Sequence, residues 1–293
     1  MARRKIIDAH HHLWDLDHGY AYPWLQDGGK GMLGDLTPIA RTYLPAEYRR
    51  DTEGYEVVKS VHIEAVPLDA VAETRWLLGL GDVLPTAIVG RADLSAPDAE
   101  QTIAAQAACE RVRGIRHIVN WHPDPRYSFT PADLLADGAW QAGYGLLRKY
   151  GLSFDIQLYP NQMAGAAQLA RRNPDTLMIV NHAGMPVDRD EAGIELWRDG
   201  IKALARLDNV VAKISGLGMV EHDWTAGSIR PFVLGTIEAF GPSRVMFGSN
   251  FPVDRLYSSF GSLYGAFESI VSGFTETEQD QMFRSNAERW YRI

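Results

Sequence analysis

The sequence predicts an α/β fold, an eight-stranded parallel (β/α)8 barrel, and three observations predict it. Short β-branched apolar runs recur eight times along the chain. The spacing between runs, mostly about 25–40 residues, leaves room for a right-handed helical crossover each time. The carboxyl ends of the runs carry histidine, arginine and acid side chains, and that rim is where such a barrel keeps its chemistry.

Taken in order, the strand-like runs are residues 4–11 (RKIIDAHH), 55–65 (YEVVKSVHIEA), 85–94 (PTAIVGRADL) and 112–120 (VRGIRHIVN). They continue with 152–159 (LSFDIQLY), 176–184 (TLMIVNHAG), 209–217 (NVVAKISGL) and 243–250 (SRVMFGSN). Several are close to continuously apolar, as strands covered on both faces are. Helices fill the gaps. Residues 68–82 follow Pro67, 96–111 open with Ala-Pro-Asp, and 161–173 end before Pro174. Residues 190–207 set Ile194, Trp197, Ile201, Leu204 and Leu207 at three- and four-residue steps, a buried stripe. Residues 275–291 begin with Thr275 and Glu278, a capping box. An open doubly wound sheet is the rival topology, but it leads one to expect a Gly-rich phosphate turn after the first strand. A histidine cluster stands there instead.

The chain is 293 residues long, 46% of them hydrophobic, enough for one sizeable core. No linker, low-complexity run or charge block divides it, so residues 1–293 read as a single domain. The formal charge of −8, with both signs interleaved, argues against nucleic acid and anionic membrane as partners. A small molecule is the expected partner, and a homo-oligomer is compatible with this surface. The single cysteine, Cys109, reads as a small helix residue, and its solitude fits a reducing compartment. The basic start is too short for a signal peptide, and no span reaches the ~20 apolar residues of a membrane crossing. A cytoplasmic, soluble protein is expected.

On a strand, alternate residues share a face, so in "DAHHH" His10 and His12 form a pair while His11 points the other way. Asp8 reads as an acceptor that orients one of them. Other strand ends offer Glu64, Arg116 with His117, and Gln157 with Tyr159. Further on come His182, Lys213, Asn250 and Asp254. Arg116 beside His117 suits an anion or carbonyl clamp. Trp14, Tyr22 and Trp24 suit an aromatic wall against a ring. Glu64, Gln157, Tyr159 and Lys213 are read as substrate contacts or anchors. His18, His62, His122 and His222 read as structural.

These motifs together, "DAHHHLW", "YPWL", "GIRH", "HAGMP", "KISGL", "VMFGSNFPVD" and "NAERWYRI", resemble the amidohydrolase superfamily of metal-dependent hydrolases over the whole chain. They resemble especially its lactonase branch, with fuconolactonase-like, rhamnonolactonase-like and pyrone-dicarboxylate-lactonase-like members. The resemblance implies a barrel with His10 and His12 as the strand-one pair, His182 from strand six and Asn250 at the strand-eight position. There the chain departs from the pattern. Relatives commonly have Asp, the base that deprotonates water, and Asn cannot take a proton at neutral pH. Asp254, four residues on, is the substitute base if a turn of helix brings it to the same side.

The resemblance allows one divalent ion such as zinc, on His10, His12 and His182, without requiring it: that branch includes members that work without metal. It implies a lactone hydrolase acting on a sugar-derived or small carboxylated lactone. Two further readings stay open: a metal-dependent decarboxylase of the same superfamily, and a ligand-binding barrel weakened by Asn250.

Overall fold

The computed structural model describes residues 3–28, 31–81 and 83–293. Eight parallel strands pair in sequence order: β1 Lys5–His11, β2 Glu56–Ile63, β3 Ala87–Arg91, β4 Val112–Arg116, β5 Ser153–Ile156, β6 Met178–Val180, β7 Val210–Ile214 and β8 Val245–Phe247. The ring closes just beyond the last strand. Asn250 N–H donates to the His10 carbonyl and His12 N–H to the Phe251 carbonyl, both at 2.7 Å. The architecture is the (β/α)8 barrel the sequence predicts.

Closure explains one glycine. A Cβ at Gly248 would stand 2.7 Å from His10 Cβ and 2.9 Å from its backbone nitrogen, so only glycine lets β8 approach β1 this closely. Asp8 fastens the same seam. Its carboxylate accepts from Ser249 N–H (2.8 Å), Ser249 Oγ (2.6 Å) and Tyr48 Oη (2.8 Å). It meets His10 only through the backbone N–H, at 3.3 Å, so it orients the strand and not an imidazole.

Alternation along the strands sorts side chains into two clusters. Ile7, Ala9, Val61, Ile63, Val89, Ile179, Val211 and Met246 pack inside the barrel, where Ala287 and Tyr291 of the last helix join them. Ile6, Ile88, Ile115, Phe154, Val180 and Phe247 face outward to the helices. The expected helices form at Ala70–Gly79, Ala99–Ala107, Met163–Arg172 and Glu191–Ala205. The segment expected over 68–82 also includes Asp82, which lies outside the described residues. The Thr275–Glu278 capping box forms, and the last helix passes through a π turn at Gln281–Ser285. Three helices carried no apolar stripe clear enough to predict: Gly138–Leu146, Ala226–Phe240 with Pro231 inside, and Phe260–Ile270. Each is started by an N-cap side chain, from Asp137, Thr225 and Ser259.

Candidate active site

At the carboxyl ends of the strands lies a cleft of about 200 Å³, lined by His12, Trp24, Arg91, Arg116, His117, Gln157, His182 and Asn250, with an apolar wall that includes Leu33, Phe129 and Met219. That size suits a small ligand. Three non-glycine residues with left-handed backbone line it: Val66 (φ 55°), His182 (φ 55°) and Asn250 (φ 57°). Such conformations cost on the order of 1–3 kcal/mol each and cluster where side chains must be aimed rather than merely packed.

The imidazoles gather as the sequence suggested. His10 lies 5.1 Å from His12 and 4.5 Å from His182 between ring centroids, although His182 follows β6, three strands round the ring from β1. His11 points away, hydrogen-bonded to Ser60 Oγ at 2.9 Å and stacked on Tyr48. Burial pushes the His10, His12 and His182 pKa values well below the ordinary 6.5, and the cations Lys213 and Arg116 push them further. All three rings are therefore neutral at pH 7. His182 keeps its orientation through Ser215 Oγ at 2.9 Å. Gly216 makes room for it: a Cβ there would stand 2.4 Å from His182 Nδ1.

The tautomers follow from the partners. His12 Nδ1 donates to the Ile63 carbonyl at 2.8 Å, so its Nε2 keeps a lone pair. That lone pair faces the Asn250 side-chain amide at 3.2 Å, a contact satisfied when the amide turns its NH2 toward His12. His10 is the reverse. Its Nδ1 takes a long hydrogen bond, 3.5 Å, from the Lys213 ammonium, which leaves the ring proton on Nε2. Lys213 is fully buried, and burial brings its pKa down to about 8 against the pull of Asp155, whose Oδ1 lies 2.5 Å away. Asn181 and Tyr291 also donate to that carboxylate.

This arrangement decides how well the site suits a metal. An ion held by His10, His12 and His182 needs a lone pair on each, and the strand-one pair offers one acceptor and one donor. Asn250 contributes a neutral amide where a carboxylate ligand would stand. Among the described residues, no group of three His, Cys, Asp or Glu side chains is arranged to hold an ion. As placed, the donor set does not fit one.

Arg116 lines the same cleft. Its Nε donates to Glu64 Oε1 at 2.6 Å, one terminal nitrogen to Gln157 Oε1 at 3.1 Å and the other to the Glu64 carbonyl. Three of its five N–H groups are spent on holding the guanidinium, and two remain for a ligand. Glu64 is the anchor of this arginine, not a wall of the cleft. His117 Nδ1 accepts from Leu94 N–H and Trp140 Nε1, each at 3.2 Å, so its proton sits on Nε2.

Other expectations are corrected. Trp24 reaches the cleft, but Trp14 and Tyr22 pack behind it as core; the Trp14 indole N–H is spent on the Arg41 carbonyl at 2.7 Å. Tyr159 is likewise buried, its hydroxyl donating to the Tyr127 carbonyl at 2.7 Å. Lys213 lies beneath His10 and not in the cleft. Asp254 N–H donates to the Asn250 carbonyl at 3.1 Å, the helical turn expected of residues four apart. Its carboxyl is fully buried behind Asn250 and beside Gly218, with neither oxygen in a well-formed hydrogen bond. Burial raises its pKa from 3.8 to about 7, the Gly218 backbone opposing. Arg91 was missed, although the rule that found Arg116 applies to it: a charged residue closing an apolar run, here "AIVGR". Phe129, Leu33 and Met219 come from loops, and nothing local in the sequence marks which loop residues reach the cleft.

Among described residues, no helix is long and apolar enough to cross a membrane. The chain is 42% identical, over the full length of both, to the uncharacterized protein y4mH of Sinorhizobium fredii. It is 29% identical to an L-fucono-1,5-lactonase of Burkholderia multivorans, over 98% of this chain and 96% of that one. A Burkholderia multivorans amidohydrolase solved with bound HEPES superposes with a TM-score of 0.82 at 26% identity, over 98% of this chain and 99% of that one. A second crystal form of an amidohydrolase from the same organism, with bound zinc, gives 0.81 at 25% identity and the same coverage. A family model described as amidohydrolase matches residues 7–293, and the chain belongs to that family as one of its hydrolases.

Proposed function

We propose that this protein opens a lactone ring by attack of water on the ester carbonyl, residues 1–293 acting as one catalytic unit. The observation that carries the reading is the meeting of two kinds of group in one cleft. One is a guanidinium locked by Glu64 and Gln157, with N–H groups to spare. The other is neutral imidazoles with the Asn250 amide, suited to holding a water. The likeness to an L-fucono-1,5-lactonase over nearly all of both chains supports the same choice.

In this reading Arg116 polarises the carbonyl and stabilises the oxyanion that forms when water oxygen bonds to the carbonyl carbon, while His10, buried beneath the cleft, packs against His12 and His182 and holds them in place. A preplaced donor of this kind is worth roughly 3 kcal/mol in the transition state. His12, His182 and Asn250 hold the water. Its proton goes to Asp254, whose pKa near neutrality matches a general base at pH 7. Asp254 meets the cleft only past Asn250, so this step requires that side chain to turn aside; if it does not, His12 Nε2 is the acceptor. The intermediate collapses with cleavage of the bond to the ring oxygen, which leaves as an alcohol after taking up a proton. The products are a hydroxy acid anion and one proton. No step of this reading passes through a metal.

The test is a panel of aldono- and muconolactones followed by a pH indicator, with His182→Ala as the control. Acid release by the wild type well above the control, and unchanged after chelation, is expected. No turnover above the control would remove the reading. Release of CO2 from an aromatic acid by metal-loaded protein would replace it with a decarboxylase.

A further inference from the structure

We infer that Arg91 and His117 form a subsite for a carboxylate carried by the substrate, separate from the carbonyl that Arg116 polarises. The balance of charge at the ends of β3 and β4 carries this. Two guanidinium groups line the cleft there and share a single buried carboxylate. Glu64 gives one oxygen to Arg116 at 2.6 Å and the other to the Val66 N–H at 2.7 Å. Arg91 stands 3.7 Å from that second oxygen, beyond hydrogen-bond distance, and its side chain is 25% exposed. One positive charge is therefore left over, on a fork of donors that no protein group engages directly.

His117 adds to it. With Nδ1 occupied by Leu94 and Trp140, its remaining polar atom is a donor, and the residue lines the cleft beside both arginines. Among the described residues two other acids stand nearby: Glu73, fully buried and tied to the Ala65 N–H, whose charged form burial and Glu64 both disfavour, and Asp93, on the rim. Its side chain is 56% exposed, 3.8 Å from His117 Nδ1, and one of its oxygens is engaged by Ser95 N–H. It does not enclose Arg91. A planar fork next to an N–H donor matches the two oxygens of a carboxylate better than it matches the hydroxyls of a neutral sugar ring. The substrate class is then a lactone bearing a carboxylate, so that ring opening yields a dicarboxylate.

This rests on the lactonase reading for the reaction but not for the binding, and the experiment separates the two. One lactone is supplied as its free carboxylate and as the corresponding primary amide, and kcat/KM is measured for both with wild type and Arg91→Gln. Binding of tetrahydropyran-2-carboxylate, which cannot be hydrolysed, is measured alongside by calorimetry. The wild type is expected to prefer the carboxylate about 10- to 100-fold, mainly through KM, and Arg91→Gln to erase most of that preference and weaken the analogue to a similar degree. Turnover of both lactones without preference, or a preference that survives Arg91→Gln, overturns the subsite and leaves the lactonase standing. Arg91-dependent binding of the analogue with no lactone turned over does the opposite.

Discussion

Asp254→Asn should make the protein more stable and less active, in a pH-dependent way that no structural role would reproduce. The carboxyl is fully buried, and its pKa stands at about 7 in the fold against an ordinary 3.8. At about 1.36 kcal/mol per pH unit, that gap amounts to about 4 kcal/mol. The sign is unfavourable to folding. Below pH 4 both folded and unfolded chains hold the proton and nothing is lost. Between pH 4 and 7 the unfolded chain ionises while the folded one does not, so stability falls as pH rises, and above 7 the full cost is present. An amide of the same shape carries no such cost.

Thermal unfolding from pH 4.5 to 8.5 reads this directly. The melting temperatures of wild type and Asp254→Asn should nearly coincide at the acid end. At pH 8 the variant should melt higher by roughly 6 °C, taking about 2.1 cal/mol/K of unfolding entropy per residue. Activity moves the other way. Wild-type kcat/KM should climb through an apparent pKa near 7 to a plateau, because only the carboxylate can accept a proton. In the variant that limb should vanish and the plateau fall by 100-fold or more. A variant that melts no higher at pH 8 refutes the buried-carboxyl argument. One that keeps the limb refutes Asp254 as base and moves the role to His12, which His12→Gln then tests.

Arg116→Ala should lower kcat by about 100- to 1,000-fold and destabilise the fold by roughly 3–5 kcal/mol, since Glu64 is left buried with less compensation; denaturant titration and steady-state kinetics measure the two. Arg116→Lys should not recover kcat, because an ammonium cannot hold Glu64 and Gln157 and still present two N–H groups. Asn250→Asp puts a second carboxyl beside Asp254, so the pH-rate limb should move upward by about one unit, as paired acids resist double ionisation; an unmoved limb would show that the two side chains do not interact. Gly216→Ala forces a Cβ to within 2.4 Å of His182 Nδ1 on a backbone of φ 60°, and should cost about 1–3 kcal/mol and most of kcat while circular dichroism stays native.

The parts of the site that were legible in the sequence are those governed by strand periodicity. His10 and His12 share a face and His11 does not because successive strand residues alternate, but which face they take is set by a register shift between Asp8 and His11, since Ile7 and Ala9 also point into the barrel. The same rule reaches Arg116 and Gln157, which follow the outward-facing Ile115 and Ile156, but not Glu64, which follows the inward-facing Ile63 beyond the end of β2. It fails once the chain leaves the strand. Trp14 and Tyr22 lie a few residues beyond β1, where the backbone has turned, and packing against Trp24 and Tyr43 rather than alternation decides their direction. Lys213 was legible as a strand residue, but its depth was not: His10 and Asp155 together draw it beneath the floor of the cleft. Helices were found where a long apolar stripe or a capping box announced them, and missed where glycine or proline diluted the pattern, as in Gly138–Leu146 and Ala226–Phe240.

Asn250 joins these threads. Its backbone is left-handed, a conformation that asparagine and aspartate tolerate better than most residues, so the turn itself admits either. Electrostatics discriminates. A carboxylate at 250 would lie beside the buried Asp254, two like charges in a region of low polarity, and only one of them could ionise near neutral pH. With asparagine at 250 the single carboxyl of this turn sits one helical turn deeper, where burial sets its proton affinity near the operating pH while the amide keeps its hold on His12. The exchange thus separates two duties that one aspartate would otherwise combine, orienting the strand-one imidazole and taking the proton. Its cost is access, since Asp254 is reached only when Asn250 gives way. That cost is measurable as a solvent-viscosity-independent drop in kcat on replacing Asn250 with the bulkier Gln, without a matching rise in KM.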